Sequence, residues 1–212
     1  MILEYNYSVV WGFCDIYYWK AVWDGVDCIF GKSIGTGAGT LCIGLAVLAA
    51  FKSLRSASSV PAGHTLDDVA NCCTSYTYLQ SKKSDKFARR ISDTFMTVFL
   101  EFFVILIWHG LWSLIDLFTM AEYKLHYLDM TFANSAKLSL VVGIVSNVFV
   151  YVLQFAYSQY INNQSQKSSK VLAHIFGGTF SILCIFSSVN TFRGYWFLLD
   201  VYFDSDIVGE RK

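Results

Sequence analysis

Long apolar stretches separated by polar segments dominate the sequence. A helix that crosses the hydrocarbon core of a bilayer needs about 20 mainly apolar residues. Four stretches reach about this length with few internal charges, namely 34–54, 92–117, 138–158 and 171–191. A fifth, 8–30, is aromatic and apolar but carries three aspartates and a lysine. The pattern predicts an all-α, polytopic transmembrane helical bundle with about five spans.

The composition agrees with a membrane protein. Hydrophobic residues make up 55% of the 212 residues and charged residues 15%, against about 25% charged residues in soluble domains. So few charges do not cover the surface of a soluble domain of this size. We therefore expect one integral membrane domain, 1–212, whose surroundings are the lipid bilayer. The net charge is formally zero, and no basic, aromatic-rich patch indicates nucleic-acid binding.

The basic residues are concentrated in one polar segment, 55–91. Cytoplasmic loops carry an excess of Lys and Arg, so this segment is predicted to be cytoplasmic. Alternating spans then place 161–170 in the cytoplasm, and 119–137 and the C-terminus outside. Glycosylation sequons at Asn6 and Asn163 fall on the predicted cytoplasmic side and oppose this orientation.

The six cysteines give no sign of a metal or other cofactor. They form no CxxC pair and have no nearby histidine cluster, so we predict no zinc site. Cys72 and Cys73 are adjacent in the basic segment. Palmitoylation of these two residues is one reading, and the favoured one is that they are ordinary thiols.

A nine-residue motif occurs three times at near-equal spacing. Its pattern is an aromatic residue, a basic residue or His, a small residue, any residue, Trp, three residues and Asp. The copies, called copies 1, 2 and 3, cover 19–27, 108–116 and 192–200. The motif residues are Trp19, Lys20, Trp23 and Asp27; Trp108, His109, Gly110, Trp112 and Asp116; and Phe192, Arg193, Gly194, Trp196 and Asp200.

On a helix, the first aromatic residue, the Trp and the Asp lie along one face. The basic residue and the Asp of one copy are too far apart to pair directly. They are predicted to pair between neighbouring helices, for example Arg193 with Asp116 or Lys20 with Asp200. The small residue lies nearly opposite the face formed by the first aromatic residue, the Trp and the Asp, and it permits close helix contact there.

Two interpretations of the motif stay open. The first is interfacial anchoring by Trp residues together with charges at helix ends. The second is a pseudo-symmetric cluster of acidic and basic groups, which would be costly to leave unpaired near lipid. In either case the predicted topology places each copy at the outer end of an odd-numbered span. The expected architecture is a tandem repeat of helix pairs, with an incomplete third pair that suggests a shortened member of a larger design.

Other polar residues lie inside the predicted spans. Glu101 is an intramembrane acid, either functional or a hydrogen-bonded structural carboxyl. Interhelical hydrogen bonds are the favoured explanation for the remaining polar residues, Asn147, Gln154, His174 and Asn190. Gly35 and Gly39 form a small-xxx-small step, with Gly44 further along the same segment, and these glycines are predicted to form a helix-packing face.

The motif resembles a known family. Copies 2 and 3 are similar to R-G-x-W-x-L-x-D stretches at the helix ends of the Fuseless family of multi-pass membrane proteins, and copy 1 resembles them less closely. The resemblance implies a plasma-membrane protein with more spans than the five predicted here, and a role in presynaptic organisation described for the founding member. It implies no enzyme chemistry and no ligand site.

The leading functional hypothesis is a non-enzymatic membrane scaffold or auxiliary subunit. Its spans would pack against a membrane-protein partner or against copies of the same chain. One alternative is a small transporter or channel that uses the motif Asp and basic residues. Another is an intramembrane lipid-modifying enzyme that uses the motif aspartates. No catalytic, cofactor-binding or metal residue is predicted under the leading hypothesis.

Overall fold

The computed structural model describes residues 2–51, 53–54, 86–119, 131–163 and 170–203. These residues are helical and contain no strand, which confirms the predicted all-α class. The helices are α1 (Ile2–Phe30), α2 (Ile34–Ala50), α3 (Lys86–Thr119), α4 (Phe132–Asn163) and α5 (Lys170–Phe203). Each predicted span falls within one of them, except that 34–54 extends beyond the end of α2.

Three segments are long and apolar enough to cross a membrane within the described residues: Phe95–Thr119, Phe132–Phe155 and Gly178–Tyr202. Helix α2 is apolar but shorter. Helix α1 is not among these segments, so its crossing stays a prediction. The last segment reaches beyond the predicted 171–191, and copy 3 therefore lies inside an apolar helix.

A glycine closes α1 and a serine caps the start of α2. Gly31 has a φ of 66°, which a glycine adopts without the steric cost that a side chain brings. Its N–H donates to the Asp27 carbonyl at 3.0 Å, as expected for a glycine that closes a helix. The Ser33 hydroxyl then accepts from the Thr36 N–H at 3.0 Å and caps α2.

The described contacts divide the chain into two compact units, Met1–Gly110 and Leu111–Lys212, called unit 1 and unit 2. The boundary falls inside α3, so this helix contributes residues to both. The core of unit 1 includes Leu48, Leu100 and Ile105, all buried. In unit 2, α4 packs against α5.

The packing face of α2 differs from the predicted one. A Cβ added at Gly39 would meet no atom within 4 Å, and one at Gly35 would meet only the nearby Ser33 hydroxyl. Gly37 and Gly44 are the buried glycines of this helix. The predicted packing face is confirmed at Gly44 and is wrong at Gly35 and Gly39, because the buried side of the helix follows Gly37, Thr40, Gly44 and Leu48.

Several sequence predictions lie outside the described residues. They concern Cys72 and Cys73 in the basic segment, most of 119–137 and the side chains at both sequons. The side chain of His174 is also outside.

Candidate functional site

In unit 1, copy 1 on α1 meets the first residues of copy 2 on α3. The Trp19 and Trp108 rings lie edge to face with their centroids 5.6 Å apart. Trp23 meets the imidazole of His109 in the same manner at 5.0 Å. Trp108 is buried, so this aromatic contact joins α1 to α3.

The basic position of copy 2 pairs with the acid of copy 1. The His109 Nε2 atom lies 3.0 Å from Asp27 Oδ1. The two atoms are within hydrogen-bonding distance. The His109 side chain is 1% exposed and that of Asp27 23% exposed. This contact between α1 and α3 is therefore largely shielded from solvent.

In unit 2, the basic position of copy 3 pairs with the acid of copy 2. Arg193 Nε donates to Asp116 Oδ1 at 2.8 Å, and its Nη2 lies 2.7 Å from the same oxygen. The Arg193 side chain is fully buried. The structure thus contains the Arg193–Asp116 pair predicted between neighbouring helices.

Hydroxyl and carbonyl groups from α3 and α4 satisfy the rest of the guanidinium. Arg193 Nη1 donates to the Ser139 hydroxyl and, at 3.4 Å, to the Ser135 carbonyl. Nη2 donates to the Ser135 hydroxyl at 2.8 Å and to Thr119 Oγ1 at 3.4 Å. Buried charges are tolerated when they are paired and their remaining hydrogens are bonded. Arg193 meets both conditions.

The small residue of the motif is a point of close helix contact. A Cβ added at Gly110 would lie 2.6 Å from the Gly37 carbonyl oxygen on α2. A Cβ added at Gly194 would lie 2.6 Å from the Leu140 nitrogen on α4. Both distances are too short for a real Cβ atom. The close approach that the sequence predicted at these glycines is therefore present in both units.

The glycine partners on α2 and α4 occupy corresponding positions that sequence reasoning missed. Leu41 faces Gly110, and Leu140 faces Gly194. Three residues after each leucine, a second glycine lies against the residue before the motif, so that Gly44 meets Ile107 and Gly143 meets Thr191. The shared spacing Leu-x-x-Gly was a signal visible in the sequence.

Lys20 of copy 1 forms a contact within its own helix, and Glu101 forms one with Trp19 of copy 1. Lys20 donates to Asp24 at 2.8 Å in an exposed pair one turn along the same helix. The Trp19 indole donates to Glu101 Oε1 at 3.0 Å. Glu101 therefore acts as an acceptor that links α3 to α1, in agreement with a hydrogen-bonded structural carboxyl.

The aromatic residues of copies 2 and 3 meet in unit 2. Trp112 packs edge to face against Phe192 and Phe197, with centroids 6.4 Å and 5.4 Å apart. Trp196 stacks on Phe192 of its own helix and is 52% exposed. Asp200 is partly exposed. Phe192 of copy 3 thus contacts Trp112 while remaining 46% exposed, and Trp196 is exposed on the same helix.

Additional polar contacts hold α4 to α5. Asn147 donates to Thr191 Oγ1 at 3.1 Å, an interhelical bond of the kind predicted. Ser187 donates to the Gly143 carbonyl at 3.0 Å, a contact that sequence reasoning missed. Asn190 instead donates to Phe186 of its own helix at 2.9 Å, and Gln154 is exposed.

Comparison with known proteins identifies the family. The sequence profile of Fuseless matches residues 1–209. The chain belongs to the Fuseless family. No curated protein and no solved structure matches it. Fuseless membership, together with three helices among the described residues that are long and apolar enough to cross a bilayer, indicates a membrane protein.

Proposed function

We propose that this Fuseless protein is a non-enzymatic scaffold or auxiliary subunit of the plasma membrane. The observation that carries the proposal is the buried Arg193–Asp116 pair with its surrounding hydroxyls. These motif charges bind one another and connect α3 and α5. A scaffold requires such fixed helix-to-helix contacts, whereas a substrate site requires groups that can exchange partners.

The energetics favour a fixed contact. Removing one partner of a buried ion pair leaves an uncompensated charge and costs about 3–5 kcal/mol. Arg193 is fully buried and bonded through its Nε, Nη1 and Nη2 atoms. A transported solute would have to replace several of these bonds at once. The pair is therefore better suited to holding helices than to binding a passing ligand.

The outward face of α5 supports binding to another membrane helix. The large exposed residues of its C-terminal half recur at helical spacing and include Phe192, Tyr195, Trp196, Leu199 and Tyr202. Inside unit 2, the corresponding Trp of copy 2, Trp112, packs against the first aromatic residue of copy 3. Trp196 holds the same motif position on α5 and faces outward. We infer that it contacts a helix of a membrane-protein partner or of a second copy of this chain.

Self-association in lipid vesicles tests this proposal. Two pools of the full chain carry donor and acceptor fluorophores, and energy transfer between them is measured at increasing dilution in lipid. We expect Trp196→Ala to weaken transfer without changing the folded yield. Val152→Ala is the matched control, since Val152 is exposed on α4. Transfer absent from the unaltered protein would exclude a second copy as the partner.

Transport is the second candidate, because unit 1 contains ionisable side chains where α1 contacts α3. Asp27 on α1 lies against His109 on α3, and Glu101 on α3 accepts from Trp19 on α1. Solute and ion flux into vesicles that contain the purified chain distinguishes the two functions. A flux that Asp27→Asn abolishes at unchanged folded yield would contradict the scaffold. We expect no such flux.

A further inference from the structure

Successive motif copies contact one another in the same way in both units. The Trp and the Asp of one copy contact the first two residues of the next copy. In unit 1, Trp23 and Asp27 of copy 1 both meet His109 of copy 2. In unit 2, the Trp of copy 2 meets the first aromatic residue of copy 3, and the Asp pairs with the base. This leaves two ends of the series, namely the beginning of copy 1 and the Trp and Asp of copy 3.

The beginning of copy 1 is exposed where the other copies are buried. The side chains of the bases in copies 2 and 3 are 1% and 0% exposed, whereas that of Lys20 is 73% exposed. The small residues of copies 2 and 3 lie against a neighbouring helix, whereas Ala21 is exposed. Trp19, the first aromatic residue, is partly exposed. We call Trp19, Lys20 and Ala21 the head surface.

The Trp and the Asp of copy 3 lie on the C-terminal half of α5. Trp196 is 52% exposed, whereas Trp23 and Trp112 at the same motif position are partly buried. Asp200 lies one turn further along the helix and is partly exposed. We call Trp196 and Asp200 the tail surface. It presents the aromatic ring and the carboxylate that contact a following copy in both units.

The head and tail surfaces have opposite charges. Lys20 and Asp200 hold the two motif positions that pair between successive copies in both units. A lysine ammonium has three donors, and Asp24 accepts from that of Lys20 at 2.8 Å, so a second carboxylate can bind beside it. The predicted topology places both surfaces at the outer ends of odd-numbered spans. Helices α1 and α5 of two chains would therefore meet in parallel and at the same depth.

We propose that chains of this protein associate head to tail, with the tail surface of one chain bound to the head surface of a second copy. Asp200 of one chain pairs with Lys20 of the next. Trp196 packs against Trp19, as the Trp of copy 2 packs against the first aromatic residue of copy 3. An interface between two different surfaces of the same chain produces rings or open rows. The inference rests on the proposed scaffold function and names its partner.

Charge reversal in mixed pools tests the pairing. The full chain in phosphatidylcholine vesicles carries a donor or an acceptor fluorophore, and energy transfer is measured at increasing dilution in lipid. Lys20→Asp alone and Asp200→Lys alone each oppose like charges between chains, and each should weaken self-association at least about tenfold. Mixing a Lys20→Asp pool with an Asp200→Lys pool opposes unlike charges again and should restore transfer. Lys137→Asp is the matched control, since Lys137 is exposed on α4 outside the motif, and it should have no effect.

Recovery on mixing is specific to a contact between chains, because a Lys20–Asp200 pair within one chain would stay broken in both pools. Transfer that persists in each variant, or that does not recover on mixing, would overturn the inference while self-association through another surface kept the scaffold function. Transfer absent from the unaltered chain would overturn the inference and leave a different membrane protein as the scaffold's partner. The flux assay described above tests the scaffold function separately.

Cross-linking provides a second measurement that needs no reversed charge. In a background without other cysteines, a Lys20→Cys pool and an Asp200→Cys pool are mixed in the same vesicles and treated with a short bifunctional maleimide. We expect a covalent dimer. Lys137→Cys mixed with Asp200→Cys is the control and should give none. Absence of the Lys20→Cys dimer, or an equal yield in the control, would contradict the head-to-tail contact.

Discussion

At the scale of single residues, burial of charge explains why the motif needs its acid. Arg193 lies among helices, where an unpaired cation is costly. Asp116 supplies the opposite charge, and Thr119, Ser135 and Ser139 accept the remaining hydrogens. The motif aspartate of copy 2 is therefore a structural counter-ion.

The Asp116→Asn variant tests this role. It keeps the shape of the side chain but removes its charge, and leaves Arg193 buried without a counter-ion. We expect the free energy of unfolding to fall by about 3–5 kcal/mol, with a large loss of folded yield in detergent. Asp24→Asn is the control, because the Lys20–Asp24 pair is exposed, and it should change stability by less than about 0.5 kcal/mol. Equal effects of the two variants would contradict the assignment.

The motif glycines give a second prediction at this scale. Gly110→Ala and Gly194→Ala insert a methyl group against the backbone of α2 and α4. Each should lower stability by about 1–3 kcal/mol, as overpacking does. Gly39→Ala is the control, because its Cβ would meet nothing within 4 Å. Thermal unfolding in one detergent compares all three, and a loss at Gly39 as large as at Gly194 would refute the close-contact explanation.

At the scale of the helix, α4 illustrates how a membrane-spanning element is organised. Its polar and small residues, including Ser135, Ser139 and Gly143, face α5 or the Arg193 network. Its large apolar residues are exposed, among them Val141, Ile144, Val145, Val148 and Phe149. Lipid tails are as apolar as these side chains, so exposing them to a bilayer costs little. The polar side of the helix is consequently the one that packs.

A charge on the exposed side of α4 tests whether that side meets lipid. Val145 is 62% exposed near the middle of the apolar segment Phe132–Phe155. Val145→Arg should oppose membrane insertion by about 2.5–3.5 kcal/mol, whereas Val145→Leu should have no effect. An insertion assay with glycosylation reporters on either side of the helix measures the difference. Unimpaired insertion of the Arg variant would place Val145 away from lipid.

At the scale of the whole molecule, orientation in the membrane follows from the distribution of charge. The segment 55–91 is rich in Lys and Arg and is predicted to be cytoplasmic. With five alternating spans, 119–137 is then outside. This topology also depends on a crossing by α1, which stays a prediction.

Cysteine labelling in intact cells tests the topology. In a background without other cysteines, Cys72 should react with an impermeant maleimide only after permeabilisation. Glu122→Cys in the same background should react in intact cells. The sequon at Asn163 should stay unglycosylated. The reverse labelling pattern would invert the topology and place the motif copies at the cytoplasmic side.

The sequence by itself determined the helical class and three of the five predicted spans, those that correspond to the long apolar segments of α3, α4 and α5. Long apolar runs are sufficient for this prediction, because a helix that crosses the hydrocarbon core of a bilayer needs about 20 mainly apolar residues. The repeated motif also revealed the Arg193–Asp116 pair, since two residues seven apart on one helix must find partners elsewhere. The close approach at Gly110 and Gly194 followed from their place opposite the aromatic stripe.

Only the tertiary structure decided which residues surround each buried polar contact between helices. Ser135, Ser139 and Thr119 surround Arg193 through the positions of three helices, and no local pattern specifies that arrangement. The same holds for the packing face of α2, where Gly37 and Gly44 are buried and Gly39 is open. Spacing shows which residues share a helix face, but the neighbouring helix decides which face is covered. The bonding of Arg193 is likewise visible only in the tertiary structure, as is the buried His109 Nδ1, which has no hydrogen-bond partner among the described residues.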